Sequence, residues 1–113
     1  MPFTLSSPDI AAGSTIDQRF EFDSFGCSGA NQSPVLRWSG EPAGTKSFAL
    51  NVYDPDAPTG SGFWHWVLID LPAGVHELAA DAGAKGGAKL PAGARQIRND
   101  YGIYAWGGMC PPP

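Results

Sequence analysis

The reading turns on KSFALNVYDPDAPTGSGFWHWVLIDL, residues 46–71. From Lys46 to Asp54 the apolar residues alternate: Phe48, Leu50 and Val52 fall on one face, Ala49 and Tyr53 on the other, which is the period of a β-strand. Asp54-Pro55-Asp56-Ala57-Pro58-Thr59-Gly60-Ser61-Gly62 is punctuated by Pro and Gly and reads as a loop. Phe63 to Leu71 is a second strand, with Trp64, Trp66 and Leu68 on one face and His65, Val67 and Ile69 on the other. Apolar residues on both faces predict a central strand covered on both sides. Two strong strands joined by one loop predict a hairpin.

The rest of the chain fits a mainly β domain. Its 113 residues predict one domain, spanning 1–113. Hydrophobic residues at 42% and four Trp are enough for a core, and 15 Gly with 11 Pro signal many turns. Thr15 to Phe25 reads as a first strand from the partial alternation of Ile16, Arg19-Phe20 and Phe22. Gly26 to Pro34 reads as a loop and Val35 to Trp38 as a short strand. Ala79 to Ala94, rich in Gly, Ala and Lys, reads as a flexible surface loop. Arg98 to Gly108 is irregular and aromatic. No segment has helical periodicity.

Charge and motifs exclude several functions. Net charge is −4 and the seven Lys and Arg form no run, which is unlike a nucleic-acid binder. No apolar run reaches the length of a membrane span. The N-terminus has no basic or apolar leader pattern, so the expected compartment is the cytoplasm. Lys85-Gly86-Gly87 lacks the order of a phosphate-cradling loop. Cys27 and Cys110 are too few for a disulfide scaffold and lack metal-ligand spacing, so no metal or other cofactor is expected.

Three features could carry chemistry. Asp54 and Asp56 sit past a strand end in a loop stiffened by Pro55 and Pro58; they either cap turn amides or present carboxylates to a ligand. His65, between two Trp, is either a satisfied core histidine or, brought near Asp54 by hairpin pairing, one half of a carboxylate–imidazole pair. Such a pair holds an anion or acts in acid–base chemistry. Gly107-Gly108-Met109-Cys110-Pro111-Pro112 is either a stiff connector or a turn whose amides approach a ligand.

Together these residues resemble the phosphatidylethanolamine-binding protein (PEBP) family in its bacterial and archaeal, Raf-kinase-inhibitor-like branch. The resemblance rests on Asn31-x-Ser33-Pro34-x-Leu36-x-Trp38, Pro42 to Ser47, Asp54 to Gly62, Trp64-His65-Trp66-Val67, Leu90 to Gly93, Arg98 to Gly102, and Tyr104-x-x-Gly107-Gly108-x-Cys110-Pro111-Pro112. It implies a β-sandwich with a few short peripheral helices and a pocket for a phosphate-like anion or phospholipid head group. That pocket would have Asp54 and His65 as its polar base, Phe63 as an apolar wall, Gly108 and Pro111 at its rim, and Asp56 and Pro58 shaping its loop. The resemblance also implies that similar loops can hold a Cys27–Cys110 bridge.

The family continues past the proline turn with a Gly-x-His-Arg-Tyr-like segment that this sequence lacks. The resemblance therefore implies a C-terminally incomplete domain, about two-thirds of the family fold, completed by a second chain or a homodimer. It favours a non-enzymatic binding module that regulates a kinase or other partner. The rivals are a hydrolase using Asp54 and His65, for which no activated nucleophile is visible, and a peptidase inhibitor. Ser61 lies outside the strand–turn–helix setting of a nucleophile elbow, and Cys110 has no evident base.

Overall fold

The computed structural model describes residues 2–110. Pro111, expected at the pocket rim, lies outside the described residues.

Two three-stranded antiparallel sheets make the fold. One orders β1 (Thr4–Ser6), β2 (Leu36–Ser39) and β5 (Glu77–Leu78) side by side; the other orders β3 (Ser47–Asp54), β4 (Phe63–Pro72) and β6 (Arg95–Ile97). The expected hairpin is present. β3 alternates as its sequence dictates, with Leu50 buried and Ala49, Asn51 and Tyr53 exposed. β4 is central to its sheet, and both His65 and Trp66 are buried; Trp64, expected to share a face with Trp66, pairs instead with Tyr53 and is exposed.

The core lies between the sheets. Phe20, Trp38, Leu50, Trp66, Leu68, Leu71, Leu78, Ala82 and Trp106 form one buried cluster. Trp66 and Trp106 meet edge to face at 5.8 Å. Each buries its indole N–H against a partner: Trp66 donates to Gln96 Oε1 at 2.8 Å and Trp106 to the Phe20 carbonyl at 3.3 Å. That is the condition for burying a tryptophan without a desolvation penalty.

Two expectations are corrected. Thr15–Phe25 is not a strand. Asp17 accepts from the Arg19 amide at 2.9 Å and so caps a short 3-10 turn over Gln18–Phe20, the only helical turn among the described residues. An N-terminal Asp cap outcompetes a partial alternation. The first strand is instead Thr4–Ser6, three residues whose one apolar side chain, Leu5, is exposed, too short to show an alternation.

Residues 79–94 are not a free surface loop either. Ala82 and Gly83 are buried; the Gly83 amide donates to Ser33 Oγ, and its carbonyl accepts from Trp106 N, both at 2.8 Å. A Cβ on Gly83 would lie 2.5 Å from Trp106 Cβ, so the small residue lets the core Trp seat. This stretch lacks a strand or helix pattern because it meets the core through backbone hydrogen bonds and a few small side chains such as Ala82.

Candidate functional site

β3 and β4 do not pair evenly at their loop ends. Val52 faces Trp66, Tyr53 faces Trp64 and Asp54 faces Phe63, so His65 is the extra residue of a β-bulge. A bulge leaves a residue's backbone unpaired and re-aims its side chain. Here the freed His65 carbonyl accepts twice from the segment after β6: from Asn99 Nδ2 at 2.8 Å and from the Gly107 amide at 3.0 Å. The contact is reciprocal, because His65 Nδ1 lies 2.8 Å from the Gly107 carbonyl. A carbonyl only accepts, so Nδ1 carries the proton and Nε2 is the nitrogen left for a ligand. Among the described residues, Nε2 makes no hydrogen bond.

Asn99 organises the segment above His65. It is buried, donates from Nδ2 to Ala105 O at 3.0 Å as well as to His65 O, and accepts at Oδ1 from Tyr101 N and Ile103 N. All four hydrogen-bonding positions of the amide are used. The turn that results aims Tyr101 across the site. Its ring stacks on Phe22 at 4.0 Å and meets Phe63 at 4.7 Å and His65 at 6.0 Å, while its hydroxyl donates to Gly108 O at 2.7 Å. Burial pushes the Tyr101 phenol above its ordinary value.

The expected residues fall as follows. Phe63 and His65 are neighbours, ring to ring at 4.9 Å. Asp54 pairs with Phe63 across the strands and is half-buried. Its Oδ1 accepts from the Asp56 amide at 2.9 Å, the Asx geometry expected of a turn Asp. Among the described residues no hydrogen bond joins Asp54 to His65; the Gly107 carbonyl accepts from the imidazole Nδ1–H instead. Asp56 and Pro58 are exposed on the loop. Gly108 is buried, with its amide bound to Asn31 Oδ1 at 2.7 Å. Cys27 and Cys110 are joined by a disulfide, with Cα atoms 5.8 Å apart, which ties the loop before β2 to the segment beyond Gly108. Among the described residues no group of three His, Cys, Asp or Glu could hold a metal.

Asn31, Asn99 and Tyr101 were quoted within motifs but given no role by sequence reasoning. Side-chain amides that bond backbone are invisible to pattern reading, since their partners are peptide groups.

Two clefts lie elsewhere. One, of about 280 Å³, runs between β1 and β3 and is lined by Phe3, Leu5, Trp38 and Phe48 among others. The second borders Arg37, His76 and Glu77. Neither is lined by Asp54, Phe63, His65 or Gly108.

Beside the second cleft, His76 Nε2 lies 2.8 Å from Glu41 Oε2 and holds that carboxyl below its ordinary value, chiefly by the hydrogen bond. A lowered folded value contributes stability above the unfolded value, and that contribution is lost as pH falls through the folded value. The melting temperatures of wild type and Glu41→Gln are therefore expected to converge as the pH falls below the ordinary glutamate value of 4.5. A gap that stays constant through that fall would exclude the contact as a source of stability.

The comparisons with known proteins agree with one another. The family model described as phosphatidylethanolamine-binding protein matches residues 6–113. The UPF0098 protein YbcL of Escherichia coli K12 is 54% identical over 110 residues, covering 97% of this chain and 60% of that protein. YbhB, a second UPF0098 protein of the same organism, is 45% identical over 108 residues, covering 96% of this chain and 68% of its own length. The crystal structure of E. coli YbcL, described as a new member of the mammalian PEBP family, superposes with a TM-score of 0.95 at 55% identity, covering 97% of this chain and 67% of that one. The chain thus spans about 60% of the length of the first of these relatives.

Proposed function

The chain belongs to the phosphatidylethanolamine-binding protein family, and from that premise we propose that it is a binding module whose His65 anchors a phosphate-bearing small ligand. The observation that supports this most is the reciprocal pairing of His65 with Gly107. It immobilises the ring and commits Nδ1, so Nε2 is the atom that meets the ligand. Protonated, the imidazolium donates from Nε2 to a phosphate oxygen, a charge-assisted bond. Phe63 and Tyr101, packed against the ring, exclude water from one side and strengthen that bond.

Asp54 adds selectivity. Its Oδ1 is used by the Asp56 amide and its charge opposes a bare anion. A ligand with a phosphate for His65 and an ammonium or hydroxyl for Asp54 satisfies both, which favours a phosphoethanolamine-type group over inorganic phosphate. Regulation of a kinase or another protein partner through this region is part of the same proposal.

A hydrolase reading fares worse. Its base would need Asp54 to orient His65, and the Gly107 carbonyl holds that place. The expected cytoplasmic setting also gives way to an oxidising one within this proposal, because cytosolic thiols stay reduced and this chain pairs Cys27 with Cys110. No helix among the described residues is long and apolar enough to cross a membrane.

The test is thermal denaturation with O-phosphoethanolamine and with inorganic phosphate. Ligand at ten times its dissociation constant adds about 1.4 kcal/mol, a rise of several degrees. His65→Ala is expected to abolish the rise and His76→Ala to leave it intact. An equal rise in His65→Ala would refute the assignment.

A further inference from the structure

We infer that Asn31 is the positioning residue of the His65 site, acting through the backbone of Gly107; this rests on the ligand-binding role proposed for His65. Asn31 is far from His65 in sequence and makes no hydrogen bond to it among the described residues. Its side-chain amide spans Gly107 instead. Nδ2 donates to the Trp106 carbonyl at 3.2 Å and Oδ1 accepts from the Gly108 amide at 2.7 Å. Those are the peptide groups on either side of Gly107, so the amide grips the chain as a neighbouring strand would. Gly107, held between them, donates its amide to the His65 carbonyl at 3.0 Å and accepts from His65 Nδ1 at 2.8 Å.

The backbone of Asn31 is committed to this task. Its φ is +51°, in the left-handed region that Asn tolerates better than most residues. Its amide donates to the Glu21 carbonyl at 2.8 Å, which fixes the loop against the 3-10 turn. The grip of Asn31 on Gly107 therefore decides which nitrogen of neutral His65 carries the proton. The tautomer imposed is Nδ1–H, the less populated one in free solution, and it leaves Nε2 as the nitrogen that takes up the second proton and then donates to the phosphate.

A merely structural Asn31 would stabilise the loop without setting the tautomer. Two variants separate these roles. Asn31→Gly keeps the left-handed backbone and removes both side-chain bonds; Asn31→Asp keeps the acceptor for Gly108 and removes the donor to Trp106. The readout is the imidazole ¹H–¹⁵N correlation spectrum of ¹⁵N-labelled protein at about pH 8, where histidine is ordinarily neutral, together with phosphate and O-phosphoethanolamine titrations at about pH 5.5, where histidine is ordinarily the imidazolium proposed to bind them. Wild type is expected to show His65 as Nδ1–H alone. Asn31→Gly is expected to show a mixture of tautomers and about tenfold weaker ligand binding, the loss typical of a broken buried hydrogen bond. Asn31→Asp is expected to lie between them, and decides the matter if Asn31→Gly does not fold. A folded variant in which His65 stays Nδ1–H would overturn the inference. If wild type binds neither ligand, the binding proposal fails, while the tautomer comparison still decides the role of Asn31.

Discussion

Breaking the Cys27–Cys110 bridge is expected to lower the stability of the chain by about 4–5 kcal/mol. The two cysteines are 83 residues apart, so the closed loop is most of the chain, and its closure removes a large share of unfolded-state entropy. Against a total of about 5–15 kcal/mol for an ordinary domain, such a loss is a large fraction. For a chain of this size it corresponds to a fall in melting temperature of roughly 15–20 °C.

The local consequence is as informative as the global one. Cys27 closes a turn in which Phe25 and Gly26 have φ of +55° and +86°, and the Cys27 amide donates to the Ser24 carbonyl at 3.0 Å. A phenylalanine in the left-handed region is held there at a cost and persists only where its surroundings fix it. On the other side, Cys110 follows Gly107 and Gly108, the residues that face His65 and Tyr101. Circular-dichroism melts with and without reductant, beside a Cys27→Ala/Cys110→Ala variant that should ignore reductant, measure the effect. A double variant within about 1 kcal/mol of wild type would mean that the bridge contributes no closure entropy.

The hairpin of β3 and β4 is readable because it is long, alternates cleanly and carries its own loop signals. Shorter elements have no such signature. Thr4–Ser6 is an exposed edge of three residues, and Arg95–Ile97 is a polar strand that exists because β4 offers it an edge. Thr15–Phe25 alternates enough to suggest a strand, yet one side-chain oxygen on Asp17 redirects it into a turn.

The site divides in the same way. Asp54, Phe63 and His65 stand out by residue type and by their place at strand ends. The bulge that makes His65 supernumerary depends on register between two strands, which no single strand encodes. Its partner, the Gly107 carbonyl, is a peptide group that every residue possesses, so the sequence singled out Gly107 for amides that could approach a ligand and not for the carbonyl that holds the imidazole. Asn31 and Asn99 were hidden for the same reason.

The segment from Trp106 to Cys110 is therefore where the fold meets the proposed site, and one methyl group there is expected to disturb both. A Cβ on Gly108 would strike the Phe20 carbonyl and come within 2.5 Å of the Glu21 carbonyl carbon and 2.6 Å of the Phe22 amide nitrogen. All three are backbone atoms of the stretch that runs from the 3-10 turn, and that stretch cannot swing aside as a flexible side chain could. It is fixed by Phe22 N donating to Met109 O at 3.0 Å and by the burial of Phe20 and Phe22.

Gly108→Ala must then either strain both segments or push the segment outward. Moving it would break the Asn31–Gly108 and Tyr101–Gly108 hydrogen bonds and carry Gly107 away from His65. A cost of about 4 kcal/mol or more is expected, in the range reserved for overpacking and lost buried networks. Gly74→Ala is the control, since a Cβ there meets nothing within 4 Å. It should fall within about 0.5 kcal/mol of wild type. Urea denaturation gives both numbers, provided the slope is unchanged so that a shifted midpoint reports stability alone. Any Gly108→Ala protein that remains folded should also lose its response to phosphate, because the carbonyl that aims His65 has moved. Stability and ligand response both retained would show that the Gly108 contact yields more than its backbone neighbours allow, and would detach this segment from the site.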